Sequence, residues 1–209
     1  MRSIPFRFWQ SLTLTGLMLS PLVVSADALE TLPSRGNDFS YSWVQGGLEV
    51  GDIENPRSNV DMLFVDGAWA LDEHVFLRGA VSFYDGRVRG RPPRPDVDGS
   101  RLSLGAGFNT PLQEDLDLVV SGDLIRVRAN FDGDGSDSET GFDMRGGVRY
   151  RATPQVEVSG GAFVEAIDRN ELGVYGEGVY ALDAPVNLGA RLELGSNIAT
   201  FGLFVRHDF

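Results

Sequence analysis

The chain has 209 residues, 42% of them hydrophobic and 23% charged, which suits one domain, or two small ones at most, and rules out a disordered chain. It has no cysteine, and all 18 basic residues are arginine, set against 30 acids for a formal net charge of −12. Disulfides, thiolate metal sites and cysteine nucleophiles are excluded, and the acidic balance argues against a nucleic-acid partner.

Residues 1–26 read as a cleaved secretory signal. Arg2 and Arg7 precede an apolar stretch from Leu12 to Val24, and Val24-Ser25-Ala26 offers small residues before a cut ahead of Asp27. A short periplasmic segment, 27–38, is expected next, and a barrel over 39–209. No apolar run long enough for a spanning helix follows residue 26.

From Phe39 onward the patterning has period two. Ten strands are predicted, near 39–51, 60–71, 75–85, 100–109, 117–129, 141–151, 156–165, 172–182, 186–194 and 198–209, with eight as the alternative count. The first is the least regular. Phe39, Tyr41 and Trp43 share one face while Val44, Gly46, Leu48 and Val50 share the other, which suggests a β-bulge or an interior aromatic cluster near Trp43–Gly46.

In the later strands one face is apolar, for example Leu63, Val65, Trp69 and Leu71, or Val186, Leu188, Ala190 and Leu192. Across strands two to ten this face is expected to carry no Asp, Glu or Arg. The opposite face is charged, and a barrel-interior network is expected from Asp66, Arg78, Arg101, Asp123, Arg145, Arg149, Glu157, Glu165, Glu177, Arg191, Glu193 and Arg206. Asp117, Asp143, Arg151 and Asp208 share that face, so seven arginines meet nine acids.

The fold class expected is therefore all-β, a closed antiparallel transmembrane β-barrel with lipid outside and polar groups within. A soluble, lipocalin-like barrel with the apolar face inward is the alternative. Export, an even strand count, alternating short and longer connections, and aromatics at one end (Trp69, Phe108, Tyr150, Tyr180 and Phe209) favour the membrane form.

Phe201, Leu203, Val205 and Phe209 alternate up to a terminal phenylalanine, with His207 at an otherwise apolar position. This resembles the assembly signal of outer-membrane barrels and implies the barrel-assembly machinery as a partner. The architecture resembles the small OmpA- and OmpX-like barrels. The opening strand, Phe39 to Leu48, resembles a family of xanthomonad-type outer-membrane barrels linked to quorum sensing. No catalytic residue is implied by these likenesses.

With both termini in the periplasm, surface loops fall at 52–59, 86–99, 130–140, 166–171 and 195–197. Arg87, Arg89, Arg91 and Arg94 in the second loop suit an anion such as lipopolysaccharide phosphate. Asp132, Asp134, Asp137 and Glu139 in the third are a calcium candidate, although Asp137 stands where an EF-hand loop requires glycine. No cofactor is expected. Enzymes of similar fold place histidine at the outer rim, whereas His74 and His207 fall at the periplasmic end. A non-catalytic barrel of the outer membrane is therefore expected, structural or surface-interacting, with a small pore as the alternative and a lipid A-directed enzyme third.

Overall fold

The computed structural model describes residues 39–54, 57–88, 96–131, 135–167, 170–182 and 185–209. The expected signal, 1–26, and the segment 27–38 lie outside the described residues. Ten strands follow in order: β1 (Trp43–Glu54), β2 (Arg57–Ala70), β3 (Val75–Val88), β4 (Asp96–Gln113), β5 (Leu116–Phe131), β6 (Gly135–Thr153), β7 (Val156–Ala166), β8 (Asn170–Ala181), β9 (Asn187–Gly195) and β10 (Ile198–Asp208). Each pairs antiparallel with its sequence neighbours, and β1 pairs with β10, so the sheet closes on itself. Closure leaves no free strand edge across the apolar band, where an edge in lipid would find no hydrogen-bond partner.

Tight turns join the strands at the end that holds β1's start and β10's finish. At Pro154-Gln155 the Thr153 hydroxyl accepts the N–H groups of Gln155 and Val156 (3.3 and 3.0 Å). The pairing slips at Pro111/Gln113 and at Arg151/Thr153, next to two of these turns. A proline cannot donate to a ladder, so Pro111 sits where the ladder is ending.

Large apolar side chains cover the outside, among them Leu48, Leu63, Leu104, Leu124 and Leu203, each more than half exposed. Trp69, Tyr150, Tyr180 and Phe209 stand outward at the turn end, with the Trp69 and Phe209 rings 5.5 Å apart. The apolar face is not free of charge, however. Asp61 and Asp85 face each other across β2 and β3, and Arg126 and Arg128 point outward from β5, all four exposed. This corrects the expectation of an uncharged face; the four charges occur there because the strands run on past the apolar band.

The same extension corrects the loop boundaries. β1 runs to Glu54 and β2 resumes at Arg57; β3 reaches Val88 and β4 starts at Asp96; β5 reaches Phe131 and β6 starts at Gly135. Backbone ladders continue where the side chains read as loop, because a hairpin in water needs no apolar face to stay hydrogen-bonded. The wall is consequently uneven. β4 and β6 have 18 and 19 residues, while β9 and β10 have 9 and 11. Among the described residues Gly135–Gly141 of β6 pairs with β5 alone, since pairing with β7 begins at Phe142.

β1 has no bulge. It pairs residue for residue with both neighbours from Trp43 to Ile53. The interior aromatic cluster is what the structure contains: Phe39 and Tyr41 lie buried inside the barrel mouth with Ala68 and Phe76, and Trp43 packs against them. Tyr41 stacks on Phe76 at 5.1 Å.

Interior aromatics elsewhere follow one device. Phe76, Tyr84, Phe163 and Phe204 each stand directly opposite a glycine on the adjacent strand: Gly107, Gly99, Gly173 and Gly189. The ring lies flat over its glycine. A Cβ built on Gly107 would come within 2.1 Å of the Phe76 ring, and one on Gly189 within 2.1 Å of the Phe204 ring. Laying rings along the wall covers glycine backbone and leaves the axis to the charged side chains.

Candidate functional site

The inward face of every strand delivers polar groups to one axis, and three levels can be distinguished. At the turn end, Arg149 lies over the rings of Phe39 and Tyr41, both at 4.9 Å, and Arg151 lies over Phe39 at 4.9 Å. The Tyr41 hydroxyl donates to Asp117 (2.8 Å), and Arg149 Nη1 donates to the Ser40 carbonyl (2.7 Å). Arg149 Nε also reaches Glu157 (2.6 Å). Residues 39–42 thus leave the ladder and are fastened inside the mouth by cation–π and charge-assisted interactions. Arg206, 3% exposed in its side chain, stacks over Trp43 at 4.7 Å and approaches Asp208 (2.8 Å), Glu157 (3.5 Å) and Glu177 (3.9 Å).

The middle level crosses the barrel. Arg191 pairs with Glu49 and Asp66 and lies over the Phe64 ring. Arg145 joins Asp143 (2.9 Å) to Glu193 across the lumen, flanked by the rings of Phe163 and Tyr175. Arg78 holds Asp123 (3.2 Å) and donates to the Ser121 hydroxyl (2.8 Å). The Gln45 amide donates to Asp66 (3.2 Å) and Glu177 (3.4 Å). Above this level Arg101 pairs with Glu165.

Two cavities, of about 150 and 180 Å³, lie on either side of the middle level and share Asp66, Arg78, Arg145, Arg191 and Glu193 as walls. The layer between them is therefore made of ion pairs. Such pairs hardly change net stability against an apolar filling, but removing one partner strands a buried charge at about 3–5 kcal/mol. They fix which side chains occupy the axis.

All twelve residues expected in the interior network lie in this region, on strands β2 to β10. Gln45 and Glu49 join them from β1 and were not expected. Their signal was present in the sequence: they share parity with Trp43, on a face whose aromatic start disguised it as apolar.

The other expected sites stand apart. Arg89, Arg91 and Arg94, and the side chain of Arg87, lie outside the described residues, as do Asp132 and Asp134. Asp137 and Glu139 belong to strand β6 rather than to a loop, and among the described residues no group of three metal-ligating side chains occurs. His74 sits in the turn before β3, its Nδ1 3.0 Å from the Asn109 carbonyl, and His207 points outward near the end of β10. Both belong to the turn end. Phe201, Leu203, Val205 and Phe209 alternate outward along β10.

No family model matches the sequence, and no curated protein matches it. Solved structures do resemble the fold. The β-domain of the Bordetella autotransporter BrkA is 15% identical with a TM-score of 0.50, covering 82% of this chain and 100% of that one. The translocator domain of the autotransporter NalP from Neisseria meningitidis is 14% identical with a TM-score of 0.51, covering 82% of this chain and 90% of that one. At these identities the likeness is one of fold, a closed antiparallel β-barrel.

Proposed function

We propose that the chain is an outer-membrane β-barrel with a structural or surface-interaction role in the cell envelope, non-catalytic, and closed along its axis by its own charged side chains. The exposed apolar band supports residence in lipid, with lipopolysaccharide and other outer-membrane lipids as its surroundings. The alternating β10, ending on Phe209, supports recognition by the barrel-assembly machinery. The opening strand's resemblance to the xanthomonad-type barrels fits the same reading. The observation that carries the closed axis is the middle level, where Arg145 spans from Asp143 to Glu193 and Arg191 holds Glu49 and Asp66.

Single-channel recording of the refolded protein in planar bilayers tests it. The parent should show no discrete conductance steps. Arg145→Ala with Arg191→Ala removes both crossing side chains and should open steps. Steady conductance by the parent would favour the second reading, a small pore, for which the two cavities stacked along the axis are the supporting observation.

A further inference from the structure

The outward arginines of β5 stand at a particular height. From Leu116 to Leu124 the outward residues of β5 are Leu116, Leu118, Val120, Gly122 and Leu124, with no charge. At about 3.3 Å per residue and a tilt of about 40°, that stretch rises about 20 Å, close to the ~25 Å apolar band of such barrels. Arg126 and Arg128 are the next two outward positions, at the end away from the termini. Arg126 lies between Leu102 and Thr140 on the adjacent strands, and Arg128 between Ser100 and Ser138. With Phe83 they line a shallow depression of about 480 Å³ on the outside of the tall wall.

Neither arginine has a carboxylate within ion-pair distance among the described residues, in contrast to the interior arginines bound to acids. Two acids also line the depression and keep their charge: Asp98 accepts from the Asn130 amide (2.9 Å) and Asp137 accepts the Ser138 N–H (2.8 Å), and in the ladder both stand beyond Arg128, on the side away from the apolar wall. Nearest the apolar wall stand two guanidinium groups two residues apart on one face, with serine hydroxyls beside them. A ligand that fits has an anionic, oxygen-rich head and acyl chains that continue down along Leu124, Leu104 and Phe142. Arginine's planar fork suits phosphate, and the charge is of the sign that anionic headgroups attract.

We propose that Arg126 and Arg128 hold the phosphate of an outer-leaflet lipid against the outside of the barrel. The proposal rests on the outer-membrane reading above, and the test separates the two. Refolded protein in neutral detergent is titrated with lipid A bearing its phosphates, and bound lipid is counted by native mass spectrometry. The parent should retain the lipid, and Arg126→Gln with Arg128→Gln should weaken binding roughly tenfold for each guanidinium removed. Asp61→Asn, on the same outer face, should bind at least as well as the parent. Equal binding by the double arginine variant would overturn the site, as would full competition by millimolar inorganic phosphate, which would mark a simple ion site. Insertion into vesicles is scored in parallel. A parent that fails to insert overturns the membrane reading itself, whereas insertion with unchanged lipid binding by the variant overturns only this inference.

Discussion

At the scale of single residues, the glycines opposite interior rings decide how the lumen is filled. Gly189 gives the Phe204 ring a bare stretch of backbone, and Phe204 in turn packs with Phe64 and Val179. Gly189→Val should destabilise the barrel by about 1–3 kcal/mol through overpacking. Phe204→Ala beside it should recover part of that loss, giving a non-additive double-mutant cycle in urea unfolding. Additive costs would show that the ring does not depend on the glycine. These pairings were not legible in the sequence, because register across strands is fixed by the closed sheet and no local pattern announces which glycine faces which ring. The charged positions were more legible, since parity alone sorts Arg145 from Met144. Gln45 and Glu49 escaped because their face opens with Phe39, Tyr41 and Trp43, whose rings lie against arginines inside the barrel.

At the scale of the strand, β5 and β10 carry the clearest expectations. Val120 lies midway along the apolar stretch of β5 and is exposed on the outer surface. Val120→Arg should cost about 2–4 kcal/mol in bilayers, and folding as stable as the parent's would argue against lipid there. Deleting Phe209 removes the outward ring that meets Trp69 and the N–H that bonds the Ser42 carbonyl (3.0 Å). The truncated chain should be exported yet fail to assemble, so it should be found in the periplasm or degraded; normal outer-membrane levels would contradict a role in assembly. Strand existence was legible because alternation survives wherever one face is apolar and the other polar. Strand ends were not. Beyond the apolar band both faces of a hairpin are polar, so residues such as Asp98 and Asn130 alternate no signal while their backbones stay paired.

The whole molecule separates two jobs by face. Aliphatic residues are carried outward, and arginines that each meet an acid or a ring are carried inward. Order along the chain explains the closure, because β1 and β10 come together only when all the intervening strands are in place. Residues 39–42 then turn into the mouth and meet Arg149, which belongs to β6 on another part of the wall. Ten strands and one apolar face could be read from the sequence. The inward turn of Phe39 and Tyr41 was one of two readings, beside a β-bulge, because what decides it is a guanidinium far along the chain, at Arg149.

The uneven rim has its own consequence. Among the described residues Gly135–Thr140 of β6 pairs with β5 alone, so the tallest part of the wall has an unpaired ladder edge there, a surface that can capture another strand. Asp137 and Glu139 lie along it, and two copies meeting edge to edge would bring these carboxylates toward one another. Asp137→Ser with Glu139→Thr removes that repulsion. Sedimentation of the detergent-purified variant should then reveal dimers that grow with protein concentration, while the parent stays single. A variant that remains single would mean the acids are not what keeps this edge from self-association.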